Sequence, residues 1–200
     1  FMGAMYPGLD LGAGEKERGT METILSSPAS RLDIVLGKFG VIMTAGIATA
    51  LISFASLNVS VHLFPEIPVD ILDIISSMLG VKMVALILTL IIPIAVFFSA
   101  AILSLSIYAR SFKEAQSIVT PLNIAIIVPA AIGLTPGMEL NKITALIPIL
   151  NVSLATKEML SGSINWILLS EVYVSLFVLA GLSLWFCVKW FNREDIIFRY

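Results

Sequence analysis

The sequence predicts an all-α integral membrane fold: a polytopic helical bundle with four complete transmembrane helices and the end of a preceding one. Three observations carry this prediction. The 200 residues are 58% hydrophobic and only 13% charged, with a mean hydropathy of +0.99, whereas soluble domains carry about 25% charged residues. The charges are also clustered, so that long uncharged runs alternate with short charged stretches. A helix rising about 1.5 Å per residue needs about 20 apolar residues to cross roughly 30 Å of hydrocarbon, and four runs reach that length. Lipid offers no partner for backbone N–H and C=O groups, so runs of this length must be helical.

In chain order, residues 1–9 (FMGAMYPGL) are apolar but too short to span, and no basic n-region marks them as a signal peptide. They read as the end of a span that begins earlier. Residues 10–37 form a charged segment. No charge then occurs between Lys38 and Glu66, nor between Lys82 and Arg110. A third run lies between Glu114 and Glu139, and a fourth extends from Trp166 to Val188, interrupted by Glu171. Pro93 and Pro129 fall inside spans, where a missing N–H favours a kink.

The connections differ in character. Residues 66–81 alternate acids with apolar side chains and suit a short interfacial helix, with His62 at its approach. Residues 110–116 (RSFKEAQ) read as a tight polar turn. Residues 136–165 hold a 14-residue uncharged centre, Ile143–Thr156, too short to cross, so this region is expected to be re-entrant or interfacial. Residues 189–200 form a basic tail. Cytoplasmic loops carry excess Lys and Arg. Placing residues 10–37 and the tail in the cytoplasm leaves nine basic residues inside and three (Lys82, Lys142, Lys157) outside.

Composition excludes several function classes. A net charge of -2 does not fit nucleic-acid binding. One cysteine, Cys187, and one histidine, His62, allow neither an intrachain disulfide nor a Cys- or His-rich metal centre. No GxxxxGK[ST] phosphate loop occurs, and the Gly12-x-Gly14 pair lacks the strand–turn–helix context of a nucleotide motif.

The most informative stretch is Glu15–Arg31, EKERGTMETILSSPASR. Met21, Ile24 and Leu25 share one helical face. The residue before Pro28 is pushed out of the helical region, and Ser30 with Asp33 offers a capping pair for a second helix. The segment is expected to lie in water as helix, break, helix. Glu15, Glu17, Glu22 and Asp33 balance Lys16, Arg18, Arg31 and Lys38, whereas anionic lipid attracts basic clusters. A protein partner therefore competes with the lipid surface as the neighbour of this segment.

EKERGTMETILSSPASRLDIVLGKF closely resembles the cytoplasmic segment of ATP-binding-cassette type-2 permeases, particularly the sodium-export (Nat-type) branch. ARSFKEAQS and LIPILNVSLATKEMLSG are similar to the same branch, and the resemblance covers essentially the whole chain. It implies a six-span permease subunit working as a homodimer or heterodimer in the bilayer, with a cytoplasmic ATPase subunit that binds ATP and Mg. No cofactor is expected on this chain. It further implies that Glu15, Lys16, Glu17, Arg18, Gly19, Thr20, Glu22 and Arg31, with Phe112, Lys113 and Glu114 of the second motif, serve coupling to the ATPase. Outward transport, of sodium in view of the branch, would follow.

Among membrane-depth polar residues, Glu171 lies about 7–8 Å into the last span. Such an acid either serves a substrate path or reaches the headgroups or Lys157. Asn123 suits a hydrogen bond between helices. Pro148 breaks a run that is followed by Asn151, Lys157 and Glu158, which makes residues 136–165 a candidate gate or an external cap. Two other classes compete. A non-transport scaffold or sensor could dimerise through Gly46 and Ala50, a small-xxx-small pair. The chain could also be the permease part of a protein carrying an intramembrane metalloprotease, although one histidine supplies no HExxH site here.

Overall fold

The computed structural model describes residues 1–63 and 81–193. Among these residues the regular structure is helical: α1 (Met2–Leu9), α2 (Glu15–Glu17), α3 (Thr20–Leu25), α4 (Arg31–Leu63), α5 (Val81–Tyr108), α6 (Phe112–Gly133), α7 (Leu150–Ser161) and α8 (Trp166–Phe191). A π-helical turn, Asp10–Gly14, joins α1 to α2, and a 3₁₀ turn, Thr144–Leu146, precedes α7. Four of these helices (α4, α5, α6 and α8) are long and apolar enough to cross a membrane. The chain is a multi-pass membrane protein. The expected interfacial helix at 66–81 falls almost wholly outside the described residues.

Helix α5 is the centre of the bundle. It packs against α8, α4, α1 and α6, and 44% of its most apolar window is buried, against 6% for α4. Two apolar clusters stack along it. One joins Ile42 of α4, Ile102, Leu103 and Ile107 of α5, and Phe191 of α8. The other joins Leu90 of α5 to Leu150, Leu154 and Met159 of α7 and to Leu169 and Val172 of α8. Tyr173 of α8 also shares a hydroxyl–hydroxyl hydrogen bond with Thr89 of α5. Small residues let α1 approach α4: Gly46 faces Ala4, and Gly3 lies against Thr49. The small-xxx-small stripe expected to support dimerisation thus uses Gly46 for packing inside the chain, because close backbone approach is what small residues permit.

Local signals explain the helix starts. Ser30 Oγ accepts from Asp33 N at 3.2 Å and donates to the Asp33 carboxylate, so α4 begins at Arg31 as the capping pair predicts. At α6, Ser111 Oγ accepts from Glu114 N, and Glu114 Oε2 accepts from Arg110 N at 2.8 Å. That reciprocal cap starts the helix at Phe112, so RSFKEAQ is less a turn than the first helical turn of a span.

The 136–165 region is irregular up to Pro148 apart from the 3₁₀ turn at Thr144–Leu146, and Ile149 adopts φ 72°, ψ −50° just before α7. Helix α7 has 12 residues, and one of its faces packs against α6, α5 and α8. Ser153 Oγ donates to Ala130 O at 3.0 Å and fixes α7 on α6. Asn123 of α6 makes only a long contact, its amide nitrogen 3.9 Å from Met5 Sδ of α1.

Candidate functional site at the charged end

The helix that starts at Met2 does not stop at residue 9. It continues through the π turn to Glu17, all in right-handed helical conformation. Ser106 of α5 causes the π turn. Its hydroxyl accepts from Ala13 N at 2.8 Å and donates to Leu9 O at 3.1 Å, occupying the place of the direct Ala13–Leu9 helical bond. A side chain inserted into the helical ladder widens it by one residue. Gly12 is what allows this, since a Cβ there would collide with Ser106 Oγ and reach 3.0 Å from the Ser106 carbonyl carbon.

The widened turn aims the next three side chains at three different helices. Glu15 and Lys16 are 8% and 5% exposed, contrary to the expectation that the whole charged segment lies in water. The reason is that this part continues a packed helix, so its side chains emerge inside the bundle. Glu15 Oε2 pairs with Lys38 Nζ of α4, which also donates to Leu11 O at 2.7 Å. Lys16 Nζ donates to Ile107 O and reaches Ala109 O at 3.4 Å, at the C-terminal end of α5. There a cation meets unpaired carbonyls at the negative end of the helix dipole. Glu17 Oε2 accepts from Phe112 N at 2.8 Å, at the positive N-terminal end of α6.

Beyond Glu17 the chain turns outward. Gly19 takes φ 70°, a left-handed conformation that costs other residues roughly 1–2 kcal/mol. It breaks the segment eight residues earlier than the Ser27–Pro28 stop, which also holds, since α3 ends at Leu25. Arg18 is an exposed ion-pair partner of Asp10 at 2.7 Å. That hydrogen bond raises its already high pKa and keeps the guanidinium charged. Thr20 Oγ1 donates to Glu15 O at 3.2 Å. Helix α3 buries Met21 and half-buries Ile24 and Leu25, as the spacing predicts, while Arg18, Gly19, Thr20, Glu22 and Ser26–Ser30 face out. Arg31 Nη1 approaches Asn192 O at 3.5 Å, which brings the end of α8 to the same end of the bundle. Lys113 is exposed there, and Phe112 and Glu114 are half-buried.

The second set of candidates, Asn151, Lys157, Glu158 and Glu171, does not form one site. Asn151 is fully buried, its amide nitrogen donating to Ala145 O at 2.9 Å and Ser175 Oγ at 3.0 Å, with its Oδ1 unpartnered. Lys157 donates to Thr135 O and Met138 O and so ties α7 to the loop after α6, rather than pairing with Glu171. Glu158 lines a cavity of about 450 Å³ that Lys157 shares, whereas Glu171 lines a separate one of about 460 Å³ with Pro148 and Ser175. Another cavity, about 650 Å³, lies between α5, α6, α7 and α8 and is walled by Phe97, Phe98, Ile126 and Val152.

Sequence reasoning missed Ser106, Lys38 and Asp10 as partners of the charged segment. The only local signal was the glycine spacing of Asp10–Gly14, which has its use in helix approach. Residues 2–196 match the family described as ABC-2 family transporter protein. The chain is also 30% identical over 167 residues to the ABC transporter permease protein NatB of Bacillus subtilis (strain 168), covering 82% of this chain and 42% of that protein. It therefore spans about two-fifths of the length of that relative. No solved structure matches it significantly.

Proposed function

The chain belongs to the ABC-2 transporter family, and from that premise we propose that it is the membrane permease part of an ATP-driven exporter. A separate ATPase subunit, holding ATP and Mg, docks on the exposed surface from Arg18 to Ser30, with Lys113 beside it. Two permease subunits, alike or different, complete the transporter. The single observation that supports this reading most is the form of the charged end. An exposed turn and short helix stand on a root bonded to three of the long apolar helices. A surface that moves with a partner can shift spans only if it is anchored to them, and this one is.

That end is cytoplasmic in this reading, supported by the excess of Lys and Arg near it. Outward movement of sodium is the substrate reading that the Nat-type resemblance supports. The test is ²²Na⁺ movement in vesicles containing the full-length permease and its ATPase, with a hydrolysis-dead ATPase as control. ATP-dependent flux in the active complex alone is the expected result. An ATPase that copurifies and hydrolyses without moving sodium would remove the substrate while leaving the permease reading. A permease that retains no ATPase would overturn the reading in favour of a scaffold.

A further inference from the structure

Within the ABC-2 permease reading, we infer that Glu15, Lys16 and Glu17 do not contact the partner but form a latch that carries its motion to α4, α5 and α6. They are positioning residues, each holding a different helix. Three observations make the case.

The first is direction. The side chains of Glu15 and Lys16 point into the bundle and are almost fully covered, so no docked protein reaches them without opening the structure. Glu17 is exposed, but its carboxylate is engaged at the start of α6. The neighbouring exposed residues, Arg18 to Thr20, are left to meet a partner.

The second is the choice of attachment points. Lys16 holds the last carbonyls of α5, and Glu17 holds the first N–H of α6. Helix ends carry unpaired backbone groups and the ends of the helix dipole, so a charged side chain grips them through the backbone. A pull on residues 15–17 therefore acts on whole helices. It acts on the two sides of the Ala109–Ser111 turn through one short segment. Glu15 grips α4 through Lys38, whose ammonium also holds Leu11 O one turn earlier.

The third is cost. Burying an ion pair is expensive, and well-packed apolar residues often replace one without loss of stability. A buried Glu–Lys pair beside the apolar cluster of Met21, Val35 and Phe39 is thus poorly explained by stability alone. Unlike an apolar contact, a hydrogen-bonded ion pair holds one geometry, and parting its members leaves a costly unpaired charge in the bundle. A two-state connection between a surface and a set of helices needs that property.

The test uses the full-length permease in lipid nanodiscs with its ATPase. Spin labels are placed on Leu57→Cys of α4 and Leu134→Cys after α6, both exposed far from the latch, in a Cys187→Ser background. Two quantities are read: retention of the ATPase, and the change in label distance on adding ATP. Glu15→Gln, Lys38→Met and Glu17→Gln are each expected to retain the ATPase with unchanged affinity and to lose the ATP-driven distance change. The exchange variant Glu15→Lys/Lys38→Glu is expected to regain it, which a merely structural role does not predict. Glu17→Gln lies on the exposed surface and serves if the buried variants do not fold. Arg18→Glu is expected to do the opposite and weaken ATPase binding. Loss of ATPase binding in Glu17→Gln would overturn the latch by making that residue a contact. An unchanged distance response in the latch variants, or none in the wild type with ATPase bound, would overturn transmission. A wild-type permease that binds no ATPase would overturn the underlying reading instead.

Discussion

Replacing Ser106 with alanine removes one hydroxyl from the last turn of α5 and tests how the charged end is built. In the native structure that hydroxyl accepts from Ala13 N at 2.8 Å and donates to Leu9 O at 3.1 Å, and Leu9 and Ala13 are both fully buried. Without it, the Ala13 N–H is buried with no partner, at about 1–3 kcal/mol, and Leu9 O loses a donor worth about 0.5–1.5 kcal/mol. The expected loss is about 3 kcal/mol. Relaxation sets an upper bound: Ala13 N can close directly on Leu9 O if the π turn reverts to α-helix. That reversion removes one residue of slack and turns everything after Gly14 by about 100° relative to α1. Glu15 and Lys16 would then face away from Lys38 and Ile107, so the escape route costs the latch. Thermal unfolding in detergent, read by a thiol-reactive dye on the buried Cys187, measures the effect. At about 2–4 °C per kcal/mol for a chain of this size, the midpoint should fall by roughly 6–12 °C. A Ser106→Ala protein that melts with the wild type would refute the view that Ser106 creates the π turn.

Further outcomes follow from the same contacts. Gly12→Ala should destabilise comparably in the same dye assay, because its Cβ collides with Ser106 and the nearby α5 backbone leaves little room to yield. Ser111→Ala removes the cap of α6 and should cost about 1 kcal/mol by the same melt, a value typical of N-cap loss. Arg18→Gln should leave the melting midpoint unchanged, since its ion pair with Asp10 is solvent-exposed, yet reduce ATPase retention in a pull-down from membranes.

Much of this architecture is legible in the residues. The four long apolar helices appear where uncharged runs stand, because crossing hydrocarbon needs only length and apolarity in contiguous residues. The stop before Pro28 and the Ser30–Asp33 cap are equally local, each settled within four residues. The start of α6 is less legible, for the opposite reason. RSFKEAQ is polar enough to look like a turn, but Ser111 and Glu114 use that polarity to cap a helix. The gate candidates are close in sequence, but the fold sends Asn151, Lys157 and Glu171 to separate neighbours.

The stretch from Glu15 to Arg31 shows where contiguous residues stop deciding. Its charge, its breaks and the apolar face of Met21, Ile24 and Leu25 follow from composition and spacing, and so does its place beside a span. Which of its charges turn inward does not. Glu15 meets Lys38 from 23 residues away, and Lys16 meets Ile107 from 91 residues away. Both meetings depend on a π turn imposed by a serine on another helix. Hydropathy and helix capping are properties of neighbours in the chain, whereas the direction of a buried charge is set by the groups that separate helices bring to it. Only the packed bundle divides this segment into an inner half bonded to the helices and an outer half exposed at the surface.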